Sequence, residues 1–197
     1  NGAKLVKEYP HIPGVDFSGT VVKSESEDFK SGDEVVLCGS TCSVMPNAIL
    51  KVGAKPVYSD IDKKTFGSCA RSIEACITPN TKLVVAQHSF GIPCEIDVIG
   101  KLCKDNGIFL VEDCALALGS KLKEKSVGTF GDAAIFSTDH SKPINTMIGG
   151  LIYSENYSIV EKLRAVQKKC KHLPLKKHAH LHVLLLRICR LIIIKHL

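Results

Sequence analysis

Lys142 sits in the run Phe136-Ser-Thr-Asp-His-Ser-Lys-Pro143, just ahead of the pair Gly149-Gly150. Upstream, an apolar run ends in acid, Ile108-Phe-Leu-Val-Glu-Asp113. A carboxylate at the end of a buried strand and a lysine on a later loop are the two groups that pyridoxal phosphate (PLP) needs most. The lysine amine condenses with the aldehyde, and the carboxylate keeps the pyridine nitrogen protonated so that the ring can draw electrons. Lysines and strand-end acids are common, so this pair alone has little specificity. The weight falls on the residues around it.

Residues 39–155 supply a scaffold that could bring the two together. Helix-like stretches at residues 47–52, 72–76 and 96–106 alternate with short apolar runs at residues 55–60, 82–87, 108–111, 133–136 and 151–153. The third helix carries Ile96, Ile99, Leu102 and Cys103 at helical spacing and is closed by Asn106-Gly107. Continuous apolar strands alternating with helices predict a mostly parallel sheet covered on both faces, an α/β fold. Sites in such sheets lie at the carboxyl ends of the strands. Asp60, His88, Asp113 and Ser137 fall at or just past such ends, and with Lys142 they are expected to converge there.

The flanks differ. Residues 1–38 are rich in Gly, Pro and charged turn residues, with β-like runs at residues 19–22 and 34–37, and read as β-hairpins. Residues 156–170 begin as an amphipathic helix carrying Ile159, Val160, Leu163 and Val166. Residues 171–197 read as a basic and apolar helix or tail, with Arg187 and Arg190 on one helical face; a helix lying on the core or on a partner subunit is favoured over one lying on a membrane surface. The chain thus divides into segments 1–38, 39–170 and 171–197.

Composition narrows the classes. At 197 residues, 45% apolar and 23% charged, the chain is that of a globular protein with one sizeable core. Its formal charge of +6 is concentrated in the tail, where no Asp or Glu follows Glu161, so it gives no reason to expect nucleic-acid binding. The nine cysteines form no CxxC pair, and their number is odd; with no signal peptide at the start, they read as reduced cytosolic thiols. The run His178-Ala-His-Leu-His182 could hold a metal if extended, but a solvated basic turn is the better reading, and no metal is assigned. No apolar stretch reaches the ~20 residues of a membrane span.

Five stretches sharpen the reading: Asn47-Ala-Ile-Leu-Lys-Val-Gly-Ala-Lys-Pro-Val-Tyr-Ser-Asp-Ile-Asp62, Ile77-Thr-Pro-Asn-Thr-Lys82, His88-Ser-Phe-Gly-Ile-Pro93, Val111-Glu-Asp-Cys-Ala115 and Val127-Gly-Thr-Phe-Gly-Asp-Ala133. In this order, and completed by Ser137, Lys142 and Gly149-Gly150, they resemble the DegT/StrS family of PLP-dependent sugar aminotransferases over about residues 39–170. The resemblance implies the large-domain core of a fold-type-I aminotransferase, with PLP as cofactor. It implies Lys142 as the catalytic lysine, and Asp113, Ser137, Lys142 and His88 as cofactor-binding residues, with Asp113 on the pyridine nitrogen and Ser137 on the phosphate. It implies an amino-acid donor, commonly glutamate, a keto sugar carried on a nucleotide as acceptor, a homodimer when complete, and a cytoplasmic place in polysaccharide biosynthesis.

Three positions depart from the family. Cys42 stands where an aromatic residue stacks on the cofactor ring, Leu116 where a Gln is usual, and Leu118 where a His is common. The stretch Tyr9-Pro-His-Ile-Pro-Gly-Val-Asp-Phe-Ser-Gly-Thr-Val-Val22, with Phe29-Lys-Ser-Gly-Asp-Glu-Val35, resembles instead the start of medium-chain quinone-oxidoreductase-like proteins. The chain therefore reads as a composite or truncated product, in which binding of PLP is expected to be poor and transamination negligible. A non-catalytic remnant of the fold is the rival reading. A reductase is disfavoured, because no GxGxxG follows a strand.

Overall fold

The computed structural model describes residues 32–139, 141–146, 149–169 and 192–194. The hairpin expected at residues 19–22, most of the oxidoreductase-like stretch and the His178, His180 and His182 run lie outside the described residues. The elements within them are β1 Glu34–Cys38, α1 Val44–Lys51, β2 Lys55–Ser59, α2 Ala70–Cys76, β3 Thr81–Gln87, α3 Ile96–Asp105, β4 Phe109–Asp113, β5 Lys121–Leu122, β6 Lys125–Ser126, β7 Ala133–Ser137, β8 Gly150–Tyr153, α4 Tyr157–Lys169 and β9 Ile192–Ile194.

Seven strands form one sheet in the order β2-β1-β3-β4-β7-β8-β9, and β5 and β6 pair apart from it. The five strands from β2 to β7 are parallel, β8 runs antiparallel to β7, and β9 runs parallel to β8. A strand covered on both faces must be apolar on both, and β1 shows this residue by residue. Val35 and Leu37 pack with Ile49 of α1 on one face, while Val36 packs on the other with Ile73 of α2 and with Ile96, Ile99 and Cys103 of α3. The expected sheet with helices on both faces is therefore the fold observed. The Glu95 carboxylate at the head of α3 accepts the Ala70 N–H at 3.1 Å, tying the starts of the two helices together and satisfying a donor that a helix end leaves open.

Two expectations need correction. Residues 34–37 are not part of a hairpin: Glu34–Cys38 is a parallel strand between β2 and β3, buried along its whole length. The Gly32-Asp33 turn before it suggested a hairpin, but a five-residue run without a polar face belongs in the middle of a sheet. At the other end, the helix or tail expected over residues 171–197 contains a strand, Ile192–Ile194, which extends the sheet beside β8. Three consecutive β-branched residues favour an extended strand over a helix.

Strand order places the site. From β1 the chain steps to β2 on one side, then crosses back to β3 on the other and continues to β4 and β7. The loops leaving β1 and β3 thus diverge, opening a crevice at the strands' carboxyl ends, the usual ligand position in such sheets.

Candidate active site

A cavity of about 320 Å³ occupies that crevice. The loop after β1 supplies Gly39, Ser40, Thr41 and Cys42; β3 and its loop supply Gln87, His88, Ser89 and Phe90; Asp113, Ala115, Leu116 and Lys142 complete the wall. Its volume lies near the lower end of the roughly 300–1,000 Å³ found for ligand pockets.

Register brings Asp113 there. Gln87 and Asp113 end β3 and β4 side by side, and the His88 N–H donates to the Asp113 carbonyl at 3.1 Å. One carboxylate oxygen of Asp113 accepts the Ala115 N–H at 3.0 Å. No donor to the other oxygen is found among the described residues. Burial pushes the Asp113 carboxyl above its ordinary value, against the pull of the Ala115 N–H and of nearby His88 and Lys142. A buried acceptor with an unused oxygen at a cavity wall is what a protonated ring nitrogen would complete.

Lys142 reaches the same cavity from a loop that is closed at its base. Ser137 of β7 pairs with Gly150 of β8, the Thr138 N–H donates to Gly149 O at 3.0 Å, and the Thr146 hydroxyl donates to Thr138 Oγ1 at 2.7 Å. Within the loop the Lys142 N–H donates to Asp139 O at 2.9 Å. The antiparallel turn-back of β8 is what holds the lysine beside β4.

The remaining expected residues are placed less uniformly. His88 borders the cavity with a fully buried ring; its Nδ1 accepts the Cys94 N–H at 3.1 Å, so Nε2 carries the proton and donates to Glu112 Oε2 at 3.1 Å. Ser137 stands half-buried at the end of β7, where its hydroxyl accepts the Asp139 N–H at 3.4 Å, and it is not among the lining residues. Asp60 does not join the others: it is exposed at the end of β2, the edge strand on the far side of β1, where it accepts the Ile61 N–H.

Sequence reasoning missed two residues. Gln87 donates through Nε2 to Ser40 O and to Ser89 Oγ, both at 2.8 Å, joining the loops of β1 and β3 across the cavity. Glu112 lies behind Asp113 with its carboxylate fully enclosed: Oε2 accepts the Gly128 N–H at 2.7 Å and the His88 Nε2–H, and Oε1 accepts the N–H groups of Phe130 at 2.6 Å and Gly131 at 2.8 Å. Burial opposes its ionisation, but the bonds from His88, Gly128 and Gly131 prevail and hold its carboxyl below the ordinary value. An acid inside an otherwise apolar strand was the available signal. His88, Glu112 and Cys114 also present ligand atoms within 4.8 Å of one another. Because Glu112 already serves four donors and His88 uses both nitrogens, the cluster works as a hydrogen-bond network. Burial raises the Cys114 and Cys94 thiols, the latter to about 12, which keeps them protonated and inert at neutral pH.

Comparison with known proteins extends this picture. The model of the DegT/DnrJ/EryC1/StrS aminotransferase family matches residues 21–183. The dTDP-4-dehydro-2,3,6-trideoxy-D-glucose 4-aminotransferase of Saccharopolyspora spinosa is 36% identical over 137 residues, covering 70% of this chain and 36% of its own. The aminotransferase structure from Psychrobacter cryohalolentis superposes with a TM-score of 0.68 at 30% identity, over 75% of this chain and 40% of that one. A Streptococcus pneumoniae protein described as a sugar aminotransferase, solved in PLP and PMP forms, gives 0.57 at 30% identity, over 60% and 34% of the two chains. The chain spans about a third of the length of the curated relatives it matches.

Proposed function

The chain belongs to the DegT/DnrJ/EryC1/StrS aminotransferase family, and from that premise we propose that it is the cofactor-holding core of a PLP-dependent sugar aminotransferase. The observation that carries this is the meeting of Lys142 and Asp113 in one cavity at the strand ends. The residues present fit the group: an amine to bind an aldehyde, and a buried carboxylate with an oxygen left for a pyridine N–H. Bound there, PLP supplies an electron-withdrawing ring that stabilises negative charge on the carbon bearing the amino group.

The chain's own residues do the rest. The Asp113 carboxylate would accept the ring N–H, which orients the ring and keeps its nitrogen protonated, and Glu112 and His88 behind it keep the end of β4 in place. Lys142 would hold a proton at its Nζ and exchange it with the substrate carbon. Gln87 fixes the distance between the two loops that form the walls. Ser137 is assigned the phosphate contact, and His88 a wall of the cofactor's site. The donor is an amino acid, commonly glutamate. The acceptor is a nucleotide-linked sugar, and it must be a keto sugar, because an amino group is installed at a carbonyl carbon. A cytoplasmic place and a homodimer belong to the same proposal; among the described residues no helix is long and apolar enough to cross a membrane.

Cys42 and Leu116 in the cavity wall favour a second reading, a fold that keeps the site's outline without turnover, because neither offers a ring stack or a polar contact. Borohydride reduction of the protein mixed with PLP, followed by peptide mapping, decides between them. The proposal expects the cofactor's mass on the peptide carrying Lys142 and its loss in Lys142→Ala. Labelling spread equally over surface lysines in both proteins would leave the non-catalytic reading.

A further inference from the structure

Phe66 and Phe90 both adopt left-handed backbone, each with φ 56°. Side chains of this bulk avoid that region, and a residue held there is ordinarily compensated by packing. These two are not: Phe90 is 75% exposed and Phe66 49% exposed. They meet each other instead, with ring centroids 6.3 Å apart and planes at 80°, edge to face. A single exposed apolar residue is ordinary. Two strained ones, brought together from separate loops, follow the pattern of residues kept for what they contact outside the chain.

Both loops are built to hold the rings there. The Phe66 N–H donates to Asp62 O at 2.8 Å, and Asp62 Oδ1 accepts the N–H groups of Lys64 at 2.9 Å and Thr65 at 2.8 Å. Beyond Phe90, Gly91 has φ +82°, and a Cβ there would stand 3.1 Å from Leu116 O. The Ser120 hydroxyl donates to Gly91 O at 2.7 Å, and the Ile92 N–H donates to Ser89 O at 2.9 Å. Phe90 is a wall of the same cavity as Lys142 and Asp113.

We propose that Phe90, braced edge-on by Phe66, is the surface on which the ring of the acceptor sugar rests, so that the pair determines specificity for the sugar part of the substrate. This rests on the aminotransferase reading above. The carbon that receives the amino group belongs to the sugar and must come within bonding reach of the group held at Lys142. The cavity, about 320 Å³, is open on one side rather than enclosed. A wall shared with Lys142 therefore meets the reacting sugar, while the nucleotide extends outward. The C–H face of a saturated ring suits an aromatic face through dispersion and weak C–H contacts, and leaves the hydroxyls free to point aside.

Saturation-transfer NMR on the full chain with UDP-glucose as probe, with and without PLP, tests this. Irradiation of the aromatic resonances is expected to label the hexose ring protons more strongly than the uracil protons. Phe90→Ala is expected to weaken binding by about tenfold and remove the hexose signal. Phe90→Trp should restore both, Phe66→Ala should have a smaller effect, and borohydride labelling of Lys142 should persist in Phe90→Ala. Transfer centred on uracil, absence of UDP-glucose binding, or equal binding in Phe90→Ala would each overturn the proposal. So would a change confined to sedimentation, which would mean that a second copy covers the rings. Loss of the Lys142 label from the parent protein would overturn the aminotransferase reading instead, while hexose transfer still decides this one.

Discussion

Glu112 and Asp113 are adjacent, both buried, and shifted in opposite directions, so they bear on stability with opposite signs. Glu112 is depressed in the folded chain. The stability it contributes is complete above its ordinary value near 4.5 and is lost as pH falls through the lower folded value. Glu112→Gln would leave three backbone donors and a histidine facing one oxygen and an amide. We expect it to cost about 3 kcal/mol in urea unfolding at neutral pH, and to flatten the acid limb of the stability curve. Asp113 is raised, so its ionisation destabilises the fold increasingly as pH rises from 3.8 through the folded value. Asp113→Asn should therefore raise the Tm of the cofactor-free protein at neutral pH, with the gain vanishing below about pH 3.8, and should abolish retention of PLP in equilibrium dialysis. A variant less stable than the parent at neutral pH would show that the buried charge is compensated after all.

The elements position these groups through a few close approaches. Gly131 passes so near β4 that a Cβ would lie 2.7 Å from Leu110 O. Its N–H and those of Gly128 and Phe130 are the backbone donors to Glu112. Gly131→Ala should push this loop off the strand and cost about 2 kcal/mol or more by thermal unfolding, with a further drop in PLP affinity because β4 ends at Asp113. Gln87 acts between elements without reaching the core. Gln87→Ala should leave the unfolding midpoint nearly unchanged but weaken PLP binding, because the β1 and β3 loops lose their clamp. Equal PLP affinity in a fluorescence titration would remove Gln87 from the positioning set.

At the scale of the whole molecule, the sheet runs from an edge at β2 to one at β9, and the cavity sits over its β1–β3–β4 centre. Beyond β7 the pairing turns antiparallel, and β9 covers β8 only over Leu151 to Tyr153. An uncovered strand presents free N–H and C=O groups to other chains. Deleting residues 192–197 should therefore increase light scattering on warming and loosen the β7–β8 base from which Lys142 projects. Unchanged scattering would mean that the β8 edge is protected some other way.

Much of this was legible in residue order. The runs at residues 83–86 and 108–111 are apolar on every residue, as suits strands buried on both faces; Ile96, Ile99 and Cys103 recur at helical spacing. From these the α/β class follows, as do the strand ends carrying His88 and Asp113. Periodicity is a local property, however, and pairing is not. That Glu34–Cys38 lies inside the sheet, that Ile192–Ile194 extends it, and that Asp60 stands at its far edge depend on which strands become neighbours. Contacts between loops distant in sequence are equally invisible along the chain. The four donors converging on Glu112, the Gln87 clamp and the meeting of Phe66 with Phe90 exist only once the sheet has brought those loops to one end. The chain order of apolar and polar residues determined the elements; the sheet's strand order determined which side chains share a cavity.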